Sequence, residues 1–246
     1  MENQSNEFRV ESDLIGSLEV PADALYGVQT LRGLENFPIS CFHLNDYPLF
    51  INGLAMTKLA AAEANYQLGL LTEEQYNAIT QACREILAGQ HHEHFPVDMI
   101  QGGAGTTTNM NANEVIANRA LQIMGLPLGK YKHCSPNDHV NCSQSTNDAY
   151  PTAIHLGLYA THLKFMTHLL PLIDSFEAKA KEFAGILKMG RTQLEDAVPM
   201  TLGQSFGAFA SILRDEIKNL EFAAQEFLTV NMGATAIGTG ICSEPE

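Results

Sequence analysis

The chain has 246 residues, 45% apolar and 17% charged, which are globular proportions and exclude a disordered chain. Its 14 basic residues against 28 acidic ones give a formal charge of −14, which argues against nucleic acid, whose binding rests on Lys and Arg neutralising phosphates. Five cysteines without a C-x-x-C pair read as reduced thiols. The polar start MENQSNEFRVESD carries no leader pattern, and no apolar run of about 18 residues is present to span a membrane. The expectation is a soluble cytoplasmic protein.

Residues 1–50 read as irregular, broken by Pro21, Pro38 and Pro48, with short strands allowed between Ser17 and Gly27. From Phe50 to Leu68, Ala55, Leu59, Ala62 and Tyr66 recur at helical spacing. Thr72-Glu-Glu-Gln75 has the pattern of a capping box and opens a helix through Ile79, Cys83 and Ile86 to Gly89. A loop over Gln90–Gly105 follows, then a helix from about Asn109 to Met124, closed by Gly125 and Pro127. Two long helical runs complete the chain, Thr152 to about Ile186 with Pro171 as a kink, and Thr201 to about Val230. A run of about 30 residues is roughly 45 Å long and buries its apolar stripe against partners, so an oligomeric helical bundle is expected. The fold class is mainly α: a small N-terminal mixed helical domain over 1–146, then part of a long-helix bundle over 147–246.

Three polar segments stand before apolar-periodic runs: Gln101 to Glu114 (QGGAGTTTNMNANE), Ser135 to Pro151 (SPNDHVNCSQSTNDAYP) and Lys188 to Met200 (KMGRTQLEDAVPM). A helix start offers unpaired N–H groups and partial positive charge, which suits a small carboxylate. In the first, the Walker Lys-Ser/Thr is absent, and the three hydroxyls of Thr106, Thr107 and Thr108 exceed what capping needs; ordinary capping and a binding site stand level. In the second, Ser145, Thr146 and Asn147 either donate to a carboxylate or form an ST turn that starts the helix. In the third, Arg191 either clamps a carboxylate or pairs with Glu195 at i,i+4, and the ion pair is favoured. His91-His92-Glu93-His94 is neither H-E-x-x-H nor backed by a Cys pair, so a solvated loop is favoured over a metal site and no metal ligand is assigned.

Together the three segments, with Val20-Pro-Ala-Asp-Ala-Leu-Tyr-Gly-Val28, Leu34-Glu-Asn-Phe37 and Gly233-Ala-Thr-Ala-Ile-Gly-Thr-Gly240, resemble the fumarase/aspartase superfamily over nearly the whole chain. Gly103-Ala-Gly-Thr106, Ser145-Thr-Asn-Asp-Ala-Tyr150 and Arg191-Thr-Gln193 make it more similar to the aspartases than to the class II fumarases. The resemblance implies a three-domain, mostly helical fold whose long helices assemble a homotetramer with active sites composed from three subunits. It implies reversible anti elimination of ammonia from L-aspartate to give fumarate, with no organic cofactor and with Mg²⁺ activation in some members. Carried over by position, Thr106, Ser145, Thr146, Asn147, Thr192 and Gln193 would hold the substrate's carboxylates and amino group.

The superfamily's base is a serine in a mobile loop, and no G-S-S-x-x-M-P-x-K-x-N pattern occurs in these residues. The chain is therefore expected to be a truncated N-terminal portion without a catalytic base and inactive alone. The alternatives are a class II fumarase and a non-catalytic, self-associating fragment.

Overall fold

The computed structural model describes residues 7–244; Met1–Asn6, on which the reading of a leaderless start partly rests, and the last two residues lie outside the described residues. The chain falls into two compact units, Met1–Gly157 with Val230–Glu246, and Leu158–Thr229. It is mainly helical, as the periodicity predicts.

The first unit opens with an antiparallel hairpin, β1 (Phe8–Ser12) against β2 (Ser17–Pro21), paired Val10 to Glu19. Helices α1 (Val28–Asn36), α2 (Pro48–Gln67), α3 (Glu73–Leu87) and α4 (Thr106–Ile123) follow. The capping box forms: Gln75 N–H donates to Thr72 Oγ1 at 3.3 Å and Thr72 N–H to Gln75 Oε1 at 3.0 Å. The C-terminal signal of α4 also holds. Gly125 takes φ 72°, Leu126 N–H reaches Leu121 O at 2.8 Å, and Gly125 N–H reaches Gln122 O at 3.0 Å, a Schellman closure.

Helix α4 is the axis of this unit. Val115, Ile116, Ala117, Ala120 and Leu121 are buried against Ile51 and Leu54 of α2 and Ile79, Cys83 and Ile86 of α3. Helix α5 (Thr146–Glu182) begins here, six residues earlier than the periodicity predicts, and runs unbroken through Pro171. Gly53 of α2 lies so close to Ala153 O of α5 that no Cβ would fit, so the two backbones touch directly.

In the second unit, the later part of α5 packs on α6 (Leu202–Glu226) through Leu169, Ile173 and Ala210, flanked by Met166, Phe176 and Leu213. Between the helices lies a second hairpin, β3 (Leu187–Thr192) and β4 (Glu195–Thr201). Leu163, Phe165, Leu170, Leu172, Phe209, Ile212 and Phe222 of this unit remain exposed. Among the described residues, no helix is long and apolar enough to cross a membrane.

Two expectations need correction. Residues 28–36 are helical, not irregular, because the first turn of α1 takes its acceptors from residues remote in sequence. The third polar segment is not a helix start: Arg191 and Thr192 end β3, and Gln193 and Leu194 form the tight turn with φ 51° and 70°. Two successive positive φ values give the turn twist that antiparallel strands require.

Candidate functional site

The first segment delivers its three threonines to three different tasks. Gly105 caps α4 with φ 92° beneath the ring of Tyr150, where a Cβ has no room. Thr108 is buried and exchanges hydrogen bonds with the Gln101 side chain; Gln101 Oε1 accepts its N–H at 2.9 Å. The Thr107 methyl packs on Gly33. Thr106 alone is exposed, and among the described residues its hydroxyl has no partner. Of the three hydroxyls in the sequence reading, that of Thr108 is engaged, and that of Thr106 is the exposed one at the start of the helix.

The asparagines behind it are scaffold. Asn111 donates to His94 O at 3.0 Å, and Asn109 and Asn113 both donate to Asn141 Oδ1, at 3.1 and 3.2 Å. Asn109 also reaches Thr146 Oγ1 at 3.2 Å, which brings the start of α5 beside the start of α4. The first and second segments therefore meet.

The second segment winds tightly before α5. Ser135 Oγ accepts from the N–H groups of Asn137 and Asp138, opening a single π turn over Pro136–Val140. Ser143 then takes φ 58°. Ser145 and Asp148 cap α5 reciprocally: Asn147 N–H donates to Ser145 Oγ at 3.2 Å and Ser145 N–H to Asp148 Oδ1 at 2.9 Å. The turn reading of this segment is thus correct, and it leaves Ser145 and Thr146 half-buried and Asn147 exposed at a helix start. Asn147 Nδ2 donates to Ala236 O at 2.8 Å.

Sequence reasoning missed the groups that hold this turn. Lys58 of α2, 1% exposed, donates to Asn141 Oδ1 at 2.9 Å and to Gln144 Oε1 at 2.8 Å, one residue on either side of Cys142-Ser143. Burial lowers its pKa from 10.5 to about 7, against the opposing pull of Asp148. The signal was a lone charge at i+4 from Leu54 and i−4 from Ala62, inside an apolar stripe. Asp148 is fully buried; besides its cap, Oδ2 accepts from Gly233 N–H at 3.2 Å and Thr235 N–H at 2.9 Å, tying residues 230–244 to the start of α5. Asp148→Asn turns one of these acceptors into a donor facing N–H groups and should cost about 2 kcal/mol. Hydrogen exchange at the Thr235 amide checks it: unchanged protection would contradict the tie.

Thr192 and Gln193 belong to the second unit, both exposed at the β3–β4 turn. Arg191 does form an ion pair, but with Asp196 at 3.0 Å and not with Glu195. The reason is register: Arg191 faces Asp196 across the hairpin, where helical i,i+4 spacing has no meaning. At 68% and 60% side-chain exposure this pair contributes little to stability.

A family model described as Lyase matches residues 16–246. Aspartate ammonia-lyase of Pseudomonas aeruginosa is 59% identical over 238 residues, 96% of this chain and 50% of that protein. The Escherichia coli (strain K12) enzyme of the same name is 53% identical over 243 residues, 98% of this chain and 51% of that protein. Among solved structures, the fumarate lyase:delta crystallin from Brucella melitensis bound to cobalt matches with TM-score 0.92 and 53% identity over 97% of this chain and 52% of its own. The class II fumarase from Schistosoma mansoni matches with TM-score 0.85 and 37% identity over 97% of this chain and 50% of its own. The chain spans about half the length of the curated relatives it matches. With the family model matched over nearly all of its residues, and relatives this similar along the same stretch, the chain belongs to this lyase family, the fumarase/aspartase superfamily.

Proposed function

We propose that the full-length protein is an aspartate ammonia-lyase, eliminating ammonia reversibly from L-aspartate to give fumarate. The observation that carries this reading is identity of 53–59% to proteins of that name over 96–98% of the chain. In this reading the starts of α4 and α5 form the neutral wall of the substrate site. The unpartnered Thr106 hydroxyl, with Ser145, Thr146 and Asn147, donates to the substrate carboxylates and to the charge that develops when the proton beside one is removed. Each well-placed donor is worth about 3–4 kcal/mol in such a transition state. The helix termini add their own positive potential, without an organic cofactor.

Thr192 and Gln193 complete the site from the hairpin turn. In a homotetramer whose sites draw on three subunits, they need not come from the copy that supplies Thr106. The exposed apolar side chains of α5 and α6 support association of copies. The superfamily's serine-loop pattern does not occur in these 246 residues, so the base is proposed to lie outside them, and the chain alone is expected to show negligible turnover.

Fumarate absorbance, followed with L-aspartate or with L-malate on the full-length protein, with and without Mg²⁺, tests the reading. Turnover of aspartate supports it. Turnover of malate with none of aspartate would make the protein a class II fumarase instead.

A further inference from the structure

The loop between α3 and α4 gathers three ligating side chains of the His91–His94 run, for which the sequence favoured a solvated loop. His92–His94 forms one turn of 3₁₀ helix, with His91 as its N-cap at φ 66°. A 3₁₀ turn has about three residues per turn, so side chains at i and i+3 eclipse, and His91 and His94 share a face. Their ring centroids are 6.4 Å apart with planes 29° from parallel. One ligand atom from each of His91, Glu93 and His94 lies within 4.8 Å of the others.

What surrounds the cluster matters more than the spacing. Glu85 of α3 accepts at 3.0 Å from Nε2 of His91, fixing that ring and leaving its other nitrogen as the lone-pair donor. Glu85 is itself held by Arg119 of α4 through two bonds, at 2.5 and 3.1 Å. A carboxylate on the far nitrogen is the outer support that metal-bound histidines use. On the other side, Nε2 of His94 faces Glu93 Oε1 at 3.6 Å. Glu93 is 70% exposed and free to swing inward. His92 turns away and bonds Ile86 O at 2.9 Å.

We propose that His91, Glu93 and His94 form a binding site for a borderline transition-metal ion such as Zn²⁺ or Co²⁺. Two imidazoles and one carboxylate select this class over Mg²⁺ or Ca²⁺, which want an oxygen-only shell. The fourth position is left to water. Binding through Nε2 of His94 places that ring's proton on Nδ1 and gives up the long 3.4 Å contact from Leu25 N–H; no proton is released. The ion would fix the loop that leads into α4 and, through it, the approach to Thr106. The site lies in the first unit and rests on no assumption about the reaction.

Equilibrium dialysis of the chain against Zn²⁺ alone, and the visible spectrum with Co²⁺, test the proposal. The expected result is one saturable equivalent per chain, with a Co²⁺ spectrum of nitrogen and oxygen ligation. Glu93→Gln, an exposed change that leaves the fold intact, should weaken binding about tenfold or more, as should His91→Ala, whereas His92→Ala should bind as the parent does. Loss of the Leu25 amide contact should appear as a shift of that amide resonance on adding Zn²⁺. No saturable equivalent, binding indifferent to Glu93→Gln and His91→Ala, or a thiolate-to-Co²⁺ charge-transfer band would each overturn it.

Discussion

Replacing Glu114 by alanine is expected to cost about 3–5 kcal/mol, a large share of a typical domain's stability. The Glu114 side chain leaves α4 and ends at the start of α1, where it accepts four hydrogen bonds. Gly27 N–H and Thr30 N–H reach Oε2 at 2.8 and 3.0 Å, Thr30 Oγ1 reaches it at 2.7 Å, and Gln29 N–H reaches Oε1 at 2.8 Å. Glu114 is 1% exposed, and burial pushes its pKa up, opposed by those same donors. Alanine leaves the N–H groups of α1 buried without an acceptor, and water has little access to replace it. Val28 N–H keeps its own partner, Glu11 Oε2 at 3.1 Å, so the helix start is weakened and not abolished. Urea unfolding monitored by circular dichroism measures the loss; a change below about 1 kcal/mol would show that α1 does not depend on this carboxylate.

The second large effect is a pH dependence set by Lys58. The folded lysine has a pKa of about 7 against 10.5 when exposed, because burial disfavours the cation. Between those values the unfolded chain holds a proton that the folded chain does not, so stability rises with pH, by about 1.4 kcal/mol per unit. The contribution is complete above 10.5 and is lost as pH falls through 7. Two thiols close the window. Burial pushes Cys83 and Cys134 from 9.0 up to about 12, so above pH 9 the unfolded chain loses two protons that the folded chain retains, and stability turns down. His94 and His139, lowered from 6.5 by burial, act only below that value. Stability should therefore climb by about 3 kcal/mol from pH 7 to pH 9 and then decline. Lys58→Met, similar in length and uncharged, should flatten the climb; the same slope in the variant would assign it to another group.

The sequence made the local features legible. The Thr72–Gln75 box, the Gly125 closure and the long apolar runs each depend on residues within a few positions. The box and the closure appear where spacing puts them, and the long helices do so apart from the earlier start of α5 and its unbroken passage through Pro171. What it hid depends on distant partners. Helix α1 has no capping side chain of its own and borrows carboxylates from β1 and α4. The β3–β4 turn uses Gln193 and Leu194 at positive φ where Asn-Gly is the usual signal, so nothing local announced a hairpin. The donors at Thr106, Ser145, Thr146 and Asn147 were readable as residue types. Which of them are spoken for, and that Lys58 anchors the turn between them, required the packing of α2, α4 and the start of α5.

The carboxylate that completes α1 has a consequence for how the chain is made. Synthesis runs from the N-terminus, and the acceptor for Gly27 and Thr30 stands 84 to 87 residues downstream. Until Glu114 has left the ribosome, the nine residues of α1 have only Glu11 of β1 to accept from their first turn and lack the packing of α4, and a helix that short does not persist on so little. Helix α3, capped by its own Thr72–Gln75 box, and the 20-residue α2, opened by Pro48 in its first turn, can fold while α1 waits. The first helix to be translated thus waits for the fourth, which leaves it open to chaperones and proteases while α2 and α3 emerge.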